Sequence, residues 1–137
     1  MSQWTHIVGT VYLYDWIDPK KQVLEFMESN LHLIPEGSEE PVEYFYNAGN
    51  RITASLGEND YVKGTGSLTF IGDLRDMSEP EFCEGFDKFI KKLLKELSVR
   101  DLTFMIKDEW RPTYKHYYMY GDELRIEDIS KQISREP

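Results

Sequence analysis

Two stretches of helical periodicity are set among runs that alternate, and their positions limit what the chain can fold into. Thr5–Tyr14, Val42–Tyr46, Tyr61–Leu74 and Leu102–Lys107 alternate apolar and polar residues as strands do. Between the first two runs, Val23, Phe26, Met27, Leu31 and Ile34 recur at helical spacing. Between the last two, Phe82, Phe86, Phe89, Ile90, Leu93, Leu94 and Leu97 do the same. The order strand, helix, strand, strand, helix, strand predicts an α+β, ferredoxin-like βαββαβ two-layer sandwich with an antiparallel sheet. Right-handed crossovers would put both helices on one sheet face. Ile7, Val11, Leu13, Leu68, Phe70, Leu102, Phe104 and Ile106 would then meet Phe26, Phe86, Phe89 and Leu93.

Local chemistry sets the boundaries. Asp18 before Pro19 suits the start of the first helix, and Pro35 stops it. Ser78-Glu79-Pro80-Glu81 has capping-box spacing, in which each side chain satisfies a backbone N–H at the helix start. Asn47-Ala48-Gly49-Asn50 is turn-like, Arg51–Leu56 continues the strand or forms a hairpin, and Gly57–Asp60 is a second break. Tyr114–Tyr120 and Glu123–Ile129 flank Gly121-Asp122 and predict an added C-terminal hairpin with a type II′ turn. A length of 137 residues fits a single domain over 1–129, with a polar tail, 130–137, that is expected to fray.

Composition narrows function. Sixteen Lys and Arg stand against 25 Asp and Glu, a net charge of −9, which argues against duplex nucleic acid as a partner. One cysteine, Cys83, excludes a disulfide framework or a Cys-rich zinc module and reads as a core residue. No apolar run is long enough for a membrane span and the start lacks a signal pattern, so a reduced, cytoplasmic protein is expected. His6, His32 and His116 lack metal-ligand spacing. Lys63-Gly64-Thr65-Gly66-Ser67 lacks the spacing of a phosphate loop and reads as a turn. Without a catalytic or cofactor signature, the expectation is a protein with no enzymatic activity and no cofactor.

The helix-free sheet face is the main candidate surface. His6, Val8, Thr10, Tyr12 and Tyr14, with Thr69, Ile71, Asp73, Thr103, Met105 and Lys107, would line it. That mixture suits a surface covered by something: the C-terminal hairpin, a second copy, or a partner or ligand. Tyr12, Tyr14 and Met105 would form a self-association contact, a homodimer, with Asp73, Arg75 and Asp76 at its rim. RNA-binding modules use such a face, but their aromatic-glycine signature is missing. Glu36, Glu39, Glu40 and Glu43 form one acidic patch and Glu79, Glu81 and Glu84 another, read as solvation or, more sharply, as a phosphate mimic. Asp73 and Asp76 are close enough in sequence to act as an acid/base pair in a small hydrolase.

Trp4-Thr5-His6-Ile7-Val8-Gly9, Gly37-Ser38-Glu39 and Phe70-Ile71-Gly72-Asp73-Leu74-Arg75-Asp76 together resemble the W-T-H-x-x-G, G-S-E-G and F-G-D-L-R-D segments of small accessory proteins of bacteriophages and prophages. Glu40 replaces the last glycine of the second segment, and Ile71 is inserted in the third. The resemblance implies a phage protein acting in the host bacterial cytoplasm, with a host protein, such as a defence protein, as partner through the acidic surface or the sheet face. A second implied reading is a sponge for a nucleotide-type signal. A tyrosine would stack on the base, and Arg51, Arg75 or Arg111 would pair with the phosphates.

Overall fold

The alternation in the first run becomes β1 (Trp4–Leu13), which buries Thr5, Ile7, Gly9, Val11 and Leu13 and leaves the opposite parity at least partly exposed. The computed structural model describes residues 2–14, 19–47 and 66–130. Along it follow α1 (Pro19–Asn30), a 3-10 turn (Leu31–Leu33), β2 (Glu43–Asn47), β3 (Ser67–Arg75), α2 (Glu79–Glu96), β4 (Val99–Asp108), β5 (Thr113–Tyr120) and β6 (Glu123–Ser130). The Asp18 cap, the turn beyond Asn47, the run Arg51–Leu56, the break at Gly57–Asp60, the Lys63–Thr65 part of the glycine-rich segment and the tail beyond Ser130 lie outside the described residues.

The six strands form one sheet in the order β2-β3-β1-β4-β5-β6, and all neighbours are antiparallel. Both helices pack on the same side. Phe26 of α1 meets Phe89 of α2 at 5.5 Å between ring centroids, while Phe89 meets Phe70 of β3 at 5.7 Å and Phe86 meets Phe104 of β4 at 5.1 Å. The residues expected to form the core all belong to this one buried cluster. Each of these buried phenyl groups contributes about 1.5–3 kcal/mol through burial alone, so the aromatic layer dominates the helix–sheet contact. No described helix is long and apolar enough to cross a membrane.

Three local features differ from expectation. The first helix stops at Asn30 instead of continuing to Pro35. Asn30 turns its side-chain amide back to donate to the Phe26 carbonyl at 2.8 Å, and its φ of −126° takes it out of helical range. The capping box is closed in part by side chains: Ser78 Oγ accepts from the Glu81 N–H at 3.3 Å, while the Ser78 hydroxyl donates to Glu81 Oε1 at 3.0 Å. Glu79 is not a solvated acid like Glu81 and Glu84. It is buried, with Oε1 4.0 Å from the Lys115 ammonium.

The C-terminal hairpin does not fold over the sheet; it continues the sheet beyond β4. Gly121, at φ +62°, makes the turn in a region that costs other residues energy. Tyr117 fixes the hairpin's position. Its ring is buried edge-on to Phe86 at 5.4 Å, and its hydroxyl donates to the Asp87 carboxylate of α2. Strand β6 runs through Ser130, which pairs with Thr113.

Candidate functional site

Register across the sheet assembles the helix-free face row by row. Val8 lies opposite Ile71 on one side and Met105 on the other, and the three side chains are 51%, 47% and 43% exposed. The adjacent row is Thr69–Thr10–Thr103, with Phe45 of β2 opposite Thr69. Phe45 is exposed, and the hydroxyls of Thr10 and Thr69 are 3.3 Å apart. Four strands therefore present an apolar band that no described residue covers.

The β5–β6 half of the face is different. His116 stacks on Tyr118 at 4.9 Å, and the Tyr118 hydroxyl donates to Glu127 at 2.6 Å. The Arg125 guanidinium lies over the Tyr120 ring at 4.2 Å. Thr103 Oγ1 and His116 Nε2 are 3.2 Å apart. These rings are tied into a polar network, whereas the apolar band belongs to β2, β3, β1 and β4.

At the rim, His6 of β1 links β3 to the residue that follows β4. Its Nδ1 is 2.5 Å from Asp73 Oδ1 on β3, and its Nε2 is 2.5 Å from Glu109 Oε1 just beyond β4. Both ring nitrogens face carboxylates, an arrangement that favours the imidazolium, in which both nitrogens donate. Partial burial works against this charge, but the hydrogen bonds and charges of Glu109 and Asp73 together raise the His6 pKa above its ordinary value.

The three motif segments meet at this corner. Trp4 lies opposite Arg75, and His6 opposite Asp73. The Gly37–Glu39 loop docks on the end of β3: Ser38 N–H donates to the Arg75 carbonyl at 3.0 Å, Ser38 Oγ to Asp76 Oδ2 at 2.8 Å, and Arg75 pairs with Glu39. Glycine is required at 37, because a Cβ there would lie 2.8 Å from both the nitrogen and the oxygen of Arg75. Arg75 Nε also donates to Ser2 Oγ at 3.0 Å, and the Asp76 N–H donates to the Gln3 carbonyl at 2.6 Å. Behind the corner, the fully buried Asp108 carboxylate accepts from the Glu79 N–H at 3.1 Å, the Trp110 N–H at 2.9 Å and Gln3 Nε2 at 2.9 Å. It lies 3.8 Å from Arg111 Nε. Its position at the first turn of α2 also suits the positive end of that helix.

The expected site residues are distributed as follows. Met105 and Tyr12 are exposed on the face. Tyr14 is exposed too, but it lies past the end of β1, after a register irregularity between Tyr12 and Leu13. Asp73 and Arg75 are at the rim. Asp73 and Asp76 do not share a partner: the first serves His6 and the second Ser38. Glu36, Glu39 and Glu40 are exposed, with Glu39 engaged by Arg75. Arg75 and Arg111 serve different carboxylates, and Arg51 lies outside the described residues. Burial pushes the Cys83 thiol up to about 12. Among the described residues, no group of three or more His, Cys, Asp or Glu is placed to hold a metal ion.

Sequence reasoning missed Phe45 and the His6–Glu109 contact. Phe45 could have been found from its strand parity, opposite Tyr44 and Tyr46. The His6–Glu109 contact spans 103 residues and depends on strand register, so it leaves no mark in local spacing. Comparison with protein-family models, curated proteins and solved structures finds no match to this chain.

Proposed function

We propose that this chain is a non-enzymatic binding protein of the phage accessory type, acting in the bacterial cytoplasm by holding a host protein against its helix-free sheet face. The observation that carries the reading is the cross-strand row Ile71–Val8–Met105, half exposed and uncovered among the described residues. Apolar side chains in contact across three strands favour a covering partner more than they favour water. The row is flanked by Glu43 opposite Ile71 and His116 opposite Met105, with Asp73, His6 and Lys107 in the next row toward the rim. The matching partner surface is apolar at its centre and carries charges of both signs at its edge. A ferredoxin-like reading of the first four strands and two helices is supported by their inner order β2-β3-β1-β4 and by the shared side of the helices; β5 and β6 then extend that unit.

The test is capture of a host protein by tagged chain, repeated with Val8→Asp and with a charge reversal at Glu36, Glu39 and Glu40. The expected result is loss of capture in Val8→Asp, with unfolding unchanged within about 1 kcal/mol, and retention in the charge reversal. Capture that survives Val8→Asp and fails in the charge reversal would move the contact to the acidic loop.

A further inference from the structure

The sheet ends at β6, and this edge is open among the described residues. Exposed edges are usually blunted by charged side chains, lysine above all, by proline or by a bulge. Strand β6 reads E-L-R-I-E-D-I-S, with no proline or bulge and with charges of both signs that an antiparallel copy could match; all eight residues pair regularly with β5. Its charges alternate in sign on the helix-free face: Glu123, Arg125 and Glu127 align with Tyr120, Tyr118 and His116 of β5.

We propose that two copies of this chain join edge to edge through antiparallel β6 strands, with Ile126 facing Ile126 of the second copy at the twofold axis. Directly opposed residues in an antiparallel pair lie on the same face, so a twofold pairing must be centred on a residue. Centring on Arg125 opposes arginine to arginine, and centring on Glu127 opposes glutamate to glutamate. Centring on Leu124 sets Glu123 against Arg125 but leaves most of the strand unpaired. Centring on Ile126 pairs nearly the whole strand and sets Arg125 against Glu127 of the other copy, twice. It also covers Ile126, which is 37% exposed. Both charged heads are already ordered, Arg125 over the Tyr120 ring and Glu127 by the Tyr118 hydroxyl, so little side-chain freedom is lost on pairing.

The twofold axis would be perpendicular to the sheet. Both helix layers then lie on one side and both helix-free faces on the other. If those faces bind partners as proposed above, the dimer binds two at once or one repeated partner with avidity.

Sedimentation of the full chain over a range of concentrations tests this. The expected result is a dimer, with R125E and E127R each monomeric because each opposes like charges. An equal mixture of those two variants should recover the dimer, since every 125–127 contact then joins opposite charges. Recovery requires both variants to be folded, which separates pairing from damage to the hairpin. Val8→Asp should leave the mass unchanged whatever its effect on partner capture. A wild-type monomer at all concentrations overturns the proposal, as does a dimer indifferent to R125E and E127R, or a mixture that stays monomeric.

Discussion

His6 is bonded across the sheet to Asp73 at 2.5 Å, and its second nitrogen is 2.5 Å from Glu109. Three elements distant in sequence are joined by one positive ring. The bonds to Glu109 and Asp73 outweigh the opposing effect of burial, so the folded chain binds this proton more tightly than the unfolded chain does. The stabilisation is therefore fully present below the ordinary histidine value of about 6.5 and is lost as pH rises through the raised folded value. Wild type should melt above His6→Gln at about pH 5.5, and the gap should narrow as pH rises through the raised folded value. A gap that widens with pH would contradict the imidazolium assignment.

Gly37→Ala should destabilise the chain by about 1–3 kcal/mol. The added methyl meets backbone at Arg75 and cannot be relieved by a side-chain rotation. Denaturant unfolding measures the cost. Ser38→Ala, which removes only the exposed bond to Asp76, should cost less.

Asp108→Ala should be among the most damaging polar substitutions, at roughly 3 kcal/mol or more. It leaves the Glu79 and Trp110 amides without their acceptor at a fully buried site. Asp108→Asn keeps one acceptor oxygen and should fall between wild type and alanine in the same unfolding measurement.

The Cys83 thiol should react slowly with an aromatic disulfide reagent at about pH 8, where a group titrating near 12 is ionised to only about one part in ten thousand. Denaturant should restore the rate of an ordinary cysteine. Fast reaction of the native chain would show that the site between α2 and the hairpin opens readily.

The parts of the fold that were legible in the sequence rest on local periodicity. The Phe82–Leu93 stripe and the Ser78 cap locate α2, and the parity of β1 separates Ile7, Val11 and Leu13 from Val8 and Tyr12. Contacts between distant segments were not legible. Glu79 looks like any first-turn acid until Lys115 is placed above it. The Gly37 loop looks like a solvated turn until β3 is set beneath it. The end of α1 was misplaced because the Asn30 amide competes for the Phe26 carbonyl, an effect that hydrophobic spacing does not register. The candidate face, with Val8, Ile71 and Met105, was visible as a parity, but which of its residues stand side by side needed strand register.

Tyr117 roofs the Phe86 ring and occupies the Asp87 carboxylate. A version of the chain trimmed before Thr113 would lose that roof, leaving an aromatic ring in contact with solvent and an acid without its phenol. Anyone isolating the shorter unit should expect it to aggregate, because the pairing edge of β4 is uncovered together with that ring.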